Sequence, residues 1–86
     1  MDLGAAQGFQ QVEVVHCRGF DDAAPVAWAV REGRTVVLQL ERLDPIEAQR
    51  VVDFVSGAVH ALGGQSQRLG LTSFLFAPGG VVLSSS

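Results

Sequence analysis

The fold is decided by residues 35–64, which read TVVLQLERLDPIEAQRVVDFVSGAVHALGG. The first part of this stretch, residues 35–41, is β-branched and almost continuously apolar, which is typical of a central strand covered on much of both faces. A helix follows, because Asp44 is a favoured N-cap residue, Pro45 suits the first helical position and Glu47 stands three residues after the cap. The stretch therefore predicts a strand followed closely by a helix.

The helical pattern continues to Leu62. Apolar side chains recur at steps of three and four residues, at Ile46, Val51, Phe54, Val55, Ala58, Val59 and Leu62. Polar side chains occupy the other side, at Glu47, Arg50, Asp53 and His60. This spacing predicts an amphipathic helix that packs on a core through one face. Gly63 and Gly64 end it, since glycine readily adopts the left-handed conformation found after helix C-termini.

The segments on either side complete an α/β domain. Residues 12–17 have short strand character, and a first helix capped by Asp21 or Asp22 follows, with Pro25 in its first turn. Three more short strands are predicted over residues 66–69, 73–77 and 81–84. The order β-α-β-α-β-β-β predicts a two-layer α/β sandwich, with two helices packed on one face of a roughly five-stranded sheet.

The predicted domain covers residues 12–84. Residues 1–11 show neither structural period and are expected to be a flexible leader or linker remnant, and residues 85–86 a frayed tail. We expect the second face of the sheet to be apolar and to need cover. The apolar residues assigned to this face or near it are Phe74, Leu75, Phe76 and residues 81–83. That cover could come from another subunit, so we expect self-association.

Composition narrows the class of function. The 86 residues are 48% hydrophobic and 17% charged, with a net charge of −3 and no lysine. Binding along a phosphate backbone is disfavoured by this balance. Cys17 is the single cysteine, so no internal disulfide is possible and a reducing, cytoplasmic setting is expected. No apolar run reaches the length that a membrane span requires.

No catalytic or metal-binding group can be assembled from the sequence. His16 and His60 fall in different elements, and Cys17 has no second cysteine with which to complete a zinc site. Asp44 and Glu47 are explained by a capping box at the helix start. We therefore expect a protein that is not an enzyme and that holds no cofactor and no metal.

Gly57 is the residue that the helix pattern does not explain. It lies inside the second helix, where glycine costs about 1 kcal/mol relative to alanine. Together with Ala61, one turn on, it forms a flat spot that a second helix or an extended peptide could approach closely. A close approach to the domain's own sheet would explain the glycine equally well, so both interpretations stay open.

Arg68 and Phe74 form a second candidate site on neighbouring strands. A guanidinium beside an aromatic ring suits a partner peptide that carries carboxylates and apolar anchors. The alternative is a solvated arginine beside a core phenylalanine, and composition alone favours this alternative.

Three segments resemble the core domain of the SepF family of bacterial division proteins. They are residues 31–44 (REGRTVVLQLERLD), residues 47–64 (EAQRVVDFVSGAVHALGG) and residues 74–78 (FLFAP). The resemblance runs from about residue 12 to residue 83. It implies a sandwich that dimerises and polymerises further, and that binds the C-terminal peptide of FtsZ, the tubulin-like division GTPase.

The resemblance also implies roles for particular residues. Arg68 would pair with acidic groups of the peptide, Phe74 would anchor its apolar side chains, and Phe54 is a third candidate contact. The flat spot of Gly57 and Ala61 is a candidate dimer contact between helices, and the apolar face of the sheet is the other candidate. Members of the family tether FtsZ filaments to the membrane through a separate N-terminal amphipathic helix, which we do not find in this sequence.

The predicted function is thus a cell-division adaptor that aligns and tethers FtsZ filaments. Its expected location is cytoplasmic, at the division septum on the inner side of the membrane. Any membrane contact would need the N-terminal anchor. The alternative, from another class, is a regulatory dimerisation domain that binds a small ligand at the subunit interface.

Overall fold

The computed structural model describes residues 12–80. The strands are β1 (Val12–His16), β2 (Thr35–Gln39), β3 (Gln65–Arg68) and β4 (Ser73–Ala77). The α-helices are α1 (Ala23–Arg31), which follows a 3-10 turn over Phe20–Asp22, and α2 (Pro45–Ala61). The predicted strand over residues 81–84, the leader over residues 1–11 and the tail over residues 85–86 lie outside the described residues.

The described strands form one mixed sheet in the order β1-β2-β4-β3. β1 and β2 are parallel, with Val14 opposite Val37, and helix α1 supplies the crossover that parallel neighbours require. β4 pairs with β2 and with β3 in the antiparallel sense. The predicted two-layer α/β sandwich is confirmed, with one sheet and two helices.

The core lies between the sheet and the two helices. The largest fully buried side chains include Val30 of α1, Val51, Val55 and Val59 of α2, and Val36, Leu38 and Phe76 of the sheet. Of the seven apolar positions predicted for one face of α2, Val51, Val55 and Val59 are buried, whereas Ile46, Phe54 and Leu62 are exposed. Both helices therefore pack on the same face of the sheet.

Helix α2 begins as the sequence predicts. Asp44 has an extended backbone, its side chain accepts a hydrogen bond from the Glu47 N–H at 2.8 Å, and Pro45 occupies the first turn. The carboxylate of Glu47 accepts from the backbone N–H of Phe20, at 3.2 Å. Only the Asp44 side-chain hydrogen bond of the predicted capping box forms, because the carboxylate of Glu47 instead links the start of α2 to the 3-10 turn before α1.

Helix α2 ends where the glycine pair predicts. Gly63 has a φ of 77°, in the left-handed region, and the Gly64 N–H donates to the carbonyl of Val59 at 2.8 Å. Gly64 is required for a second reason, because a Cβ there would lie 2.8 Å from Cγ1 of Val59 and would also clash with the carbonyl of Ala77. The glycine lets the chain turn tightly from α2 into β3.

Helix α1 does not begin as expected. Neither Asp21 nor Asp22 caps it through a side chain, and Asp22 already has helical backbone angles. The carboxylate of Asp22 accepts instead from the Arg18 N–H at 2.8 Å, so it closes the loop that leads into the 3-10 turn. Pro25 does lie in the first turn of α1, as predicted.

The assignment of aromatic residues to the second sheet face was wrong in part. Phe74 stands opposite Leu38 and Phe76 opposite Val36, so both rings lie on the face that packs against the helices. Leu75 alternates to the other face, in a row with Val37 and Val14. The reason is the two-residue period of a strand, which cannot place three successive side chains on one face.

Candidate functional site

A cavity opens between helix α2 and the connection of β3 to β4. Its volume is about 340 Å³. Its apolar lining consists of Leu40, Leu43, Pro45, Ala48, Val52, Leu71 and Phe74. The polar residues that line it include Gln49, Arg68 and Thr72, and Arg68 is the one charged side chain in the lining. The cavity therefore offers an apolar floor with a single positive charge.

Arg68 and Phe74, the pair singled out from the sequence, meet in this cavity. They are directly opposite one another in the β3–β4 register, and the guanidinium carbon of Arg68 lies 5.5 Å from the centroid of the Phe74 ring. Phe74 is half-buried and packs beside Phe76, with ring centroids 6.3 Å apart. The ring is thus partly a core residue and partly the floor of the cavity.

The charge of Arg68 has no acidic partner among residues 12–80. Its Nε donates to the carbonyl of Gly70 at 2.9 Å, and one Nη donates to the carbonyl of Leu71 at 3.0 Å. Arg34, by comparison, is paired with Glu13 and Glu32. Because guanidinium groups carry more N–H donors than Arg68 uses here, donors and a full positive charge are left for a carboxylate.

Phe54 lies outside this cavity within the described chain. It packs edge-on against Phe20, with ring centroids 5.6 Å apart, and lines a different groove between α1 and α2. Val52, two residues earlier, lines the cavity of Arg68. Residues two apart on a helix do not share a face, so Val52 and Phe54 serve two different surfaces. The three predicted peptide contacts are therefore not brought together in one chain.

The groove between α1 and α2 is strongly apolar. It has a volume of about 360 Å³ and is lined by Ala24, Ala27, Trp28, Phe54, Ala61 and Leu62 among others. Trp28, Phe54 and Leu62 are 54%, 44% and 45% exposed. Ala61 is therefore placed next to the large apolar side chains that this groove presents, in line with a contact between helices.

Gly57 is exposed on α2, and its environment tests the interpretation that packing within the domain requires glycine. A Cβ built at Gly57 would meet no heavy atom within 4 Å, whereas one built at Gly64 would clash. Packing against the domain's own sheet therefore does not require glycine at this position. A close approach from outside the described chain stays a prediction.

The residues considered as candidates for catalysis or metal binding do not come together in one site. Cys17 is fully buried, its Sγ donates to the carbonyl of Gly19 at 3.3 Å, and burial raises the pKa of the thiol. His60 is exposed near the end of α2. Among residues 12–80 no group of three or more His, Cys, Asp or Glu side chains is arranged to hold a metal ion. No helix in that part of the chain is long and apolar enough to cross a membrane.

The sequence reasoning missed the connection between β3 and β4. Leu71 lines the cavity and is 88% exposed. A signal was present, because Leu69 and Leu71 flank Gly70 in a short turn, where polar residues are the rule.

The fold and the cavity together define a small two-layer α/β binding domain. Comparison with known proteins makes this specific. The family model for "Cell division protein SepF" matches residues 12–83. The chain belongs to the SepF family of cell division proteins, and the resemblance found in the sequence is confirmed.

Two curated relatives with the description "Cell division protein SepF" illustrate the similarity. That of Prochlorococcus marinus subsp. pastoris is 42% identical over 83 residues, which is 96% of this chain and 44% of the relative. That of Synechococcus sp. (strain JA-2-3B'a(2-13)) is 44% identical over 75 residues, which is 87% of this chain and 39% of the relative. The chain thus spans less than half the length of these relatives.

Solved structures show the same fold. The SepF-like protein from Archaeoglobus fulgidus superposes with a TM-score of 0.78 at 17% identity, over 85% of this chain and 90% of that chain. SepF from Methanobrevibacter smithii, solved in complex with FtsZ-CTD, has a TM-score of 0.66 at 18% identity, over 87% of this chain and 98% of that chain. The predicted fold class is therefore confirmed.

Proposed function

We propose that this chain is the core of a cell-division adaptor that binds the C-terminal peptide of FtsZ in the cavity of Arg68 and Phe74. The observation that supports this most strongly is an arginine without an acidic partner among residues 12–80, at the edge of an apolar cavity. The SepF of Methanobrevibacter smithii, whose fold is similar, was solved in complex with FtsZ-CTD.

The chemistry of the cavity suits a peptide that combines an apolar side chain with a carboxylate. The apolar residue would lie over Phe74 and Val52, while Arg68 would donate hydrogen bonds to the carboxylate. Hydrogen bonds between ionised partners contribute about 1.5–3 kcal/mol, and burying a large apolar side chain contributes about as much. Together these two terms give about 3–6 kcal/mol, less than the roughly 8 kcal/mol of a micromolar complex, so further contacts along the peptide must contribute to binding.

Self-association is the second part of the proposal. We infer that two copies meet through the groove between α1 and α2, where Gly57 and Ala61 would allow the helices to approach closely. Phe54 then contributes directly to the dimer contact. It contributes to the peptide site only if the dimer places Phe54 of one copy beside the cavity of the other copy. Higher polymers would need a further surface, and the row of Val14, Val37 and Leu75 on the other sheet face is apolar enough to serve.

In the cell, this adaptor would act as a binding partner and not as an enzyme. It would align FtsZ filaments and tether them at the division septum, on the cytoplasmic side of the membrane. The tether itself would come from a membrane anchor outside residues 12–80.

The experiment is a calorimetric titration of the chain with an FtsZ C-terminal peptide. We expect Arg68→Glu to weaken binding by at least about tenfold, because it removes a charge-assisted hydrogen bond and adds repulsion. Phe74→Ala should also weaken it, through loss of the apolar floor. Since Phe74 packs on Phe76, its variant needs a melting curve to show that it is folded.

Arg18→Glu is the matched control for charge. Arg18 follows β1, which lies at the opposite edge of the sheet from β3, so its reversal should leave the affinity unchanged. The absence of binding by the unaltered chain to any FtsZ peptide would refute the proposal. A thermal shift with amino acids or nucleotides in its place would favour the small-ligand alternative.

A further inference from the structure

The connection between β3 and β4, residues 69–72, is held by hydrogen bonds along its length. Its backbone is anchored to the strands by bonds from Leu69 N to Ser73 O, at 2.8 Å, and from Leu40 N to Thr72 O, at 2.7 Å. Arg68 holds the carbonyls of Gly70 and Leu71. Three successive carbonyls, of residues 70, 71 and 72, thus accept a hydrogen bond, and this connection, the β3–β4 rim, has a defined shape before any partner arrives.

Leu71 stands on this rim with its side chain in solvent. It is 88% exposed, more than any other large apolar side chain of residues 12–80, and it also lines the cavity of Phe74. A side chain so exposed contributes little to the stability of the fold. The backbone on either side of it is held by hydrogen bonds, so little backbone freedom would be lost when a partner covers the side chain.

We propose that Leu71 is a direct contact for the bound peptide, and that Arg68 is a positioning residue for it as well as an ionic contact. This inference rests on the proposed function, since the occupant is the FtsZ C-terminal peptide. The peptide would lie between the rim and helix α2, with an apolar side chain enclosed by Leu71, Phe74 and Val52. The carboxylate would pair with the donors of Arg68 that the rim leaves unused.

The occupant follows from the charge and the shape of the cavity. The lining carries one positive charge and no carboxylate, which excludes a basic segment and favours one with an acidic residue next to an apolar one. To enclose a peptide side chain, the cavity needs an apolar surface on the side of the rim. Leu71 is the large apolar residue among residues 69–72 that lines the cavity. Without it, the peptide would be covered on one side only.

The test compares two leucines of the same rim. Leu71→Ala should weaken binding of the FtsZ peptide by about 10-fold to 100-fold, the range expected when a buried leucine contact is lost. Its melting temperature should stay within about 2 °C of the unaltered chain, because the side chain is exposed. Leu69→Ala is the control, since Leu69 is half-exposed and does not line the cavity, and should change the affinity less than about threefold.

Arg68→Lys separates positioning from charge. Lysine keeps the positive charge but cannot reproduce the two-pronged bond to the carbonyls of Gly70 and Leu71. Amide hydrogen exchange at Leu69 and Gly70 should therefore become faster in Arg68→Lys and stay unchanged in Leu71→Ala. The affinity of Arg68→Lys should fall between those of the unaltered chain and Arg68→Glu.

The outcomes distinguish the inference from the function on which it rests. If the unaltered chain binds the peptide and Leu71→Ala binds it equally well, Leu71 is no contact and the inference fails while the proposed function stands. Unchanged exchange in Arg68→Lys would remove the positioning role. If the unaltered chain binds no FtsZ peptide, both fall together.

Discussion

His16 and Glu41 show how the fold creates a pair that residue types alone do not predict. They are 25 positions apart, yet Nδ1 of His16 lies 3.0 Å from Oε2 of Glu41. The pairing arises because His16 ends β1 and Glu41 closely follows the parallel strand β2. The hydrogen bond lowers the pKa of Glu41 below its ordinary value.

This pair predicts a pH dependence. In His16→Ala the pKa of Glu41 should rise towards its ordinary value, as measured by NMR titration of the side-chain carboxyl, because the hydrogen bond to His16 is the largest cause of the lowering. The stability from the pair is present above the ordinary pKa of glutamate, and is lost as the pH falls through the lowered pKa of Glu41. His60→Ala is the matched control. An unchanged Glu41 titration in His16→Ala would show that another group lowers this pKa.

At the scale of the element, α2 is the helix that connects the two proposed surfaces. One face supplies Val52 to the cavity of Arg68, and another supplies Phe54 and Ala61 to the groove beside α1. Its start is set by the side chain of Asp44, and its third face is buried in the core. The first turn of α2 supplies Pro45 to the cavity of Arg68 and no residue to the groove, so a change there should affect the cavity more than the groove.

The cap of α2 predicts a stability change. Asp44→Ala removes the hydrogen bond to the Glu47 N–H and should cost about 0.5–2 kcal/mol of unfolding free energy, measured by urea denaturation. Asp53→Ala, at an exposed position in the middle of the helix, should cost less than about 0.5 kcal/mol. Equal losses in the two variants would mean that the cap does not stabilise α2.

For the whole molecule, the distribution of apolar surface is the main feature. A domain of this length buries only about two-thirds of the surface of its unfolded chain, so exposed apolar grooves are costly unless a partner covers them. Here the groove of Trp28, Phe54 and Leu62 lies beside Gly57, which no packing within residues 12–80 requires. These two facts favour association through the helical face.

Gly57 predicts the response of the oligomer. Gly57→Gln should shift the chain from dimer towards monomer in analytical ultracentrifugation, because a long side chain would keep the helices apart. The monomer itself should remain folded, since the position is exposed and open. Gly57→Ala is the size control: it should keep most of the association while adding up to about 1 kcal/mol of helix stability. A Gly57→Gln variant that stays dimeric at low concentration would place the dimer contact elsewhere.

The sequence by itself determined the features that depend on near neighbours. The start and end of α2 and the order of the described elements follow from caps, glycines and periodicity, which act over a few residues. Periodicity also predicted the buried Val51, Val55 and Val59, but it assigned the exposed Ile46, Phe54 and Leu62 to the same face. The family was also visible in the sequence. The predicted strand over residues 81–84 stays a prediction.

Only the tertiary structure decided which residues share a surface. Strand register put Arg68 opposite Phe74 and turned Phe74 and Phe76 towards the helices, and helix geometry separated Phe54 from both. The role of Leu71 depends on hydrogen bonds between the rim and two strands. Strand register joins residues that are distant in the chain, and the hydrogen bonds of the rim depend on local backbone geometry. Neither periodicity nor residue type specifies such contacts.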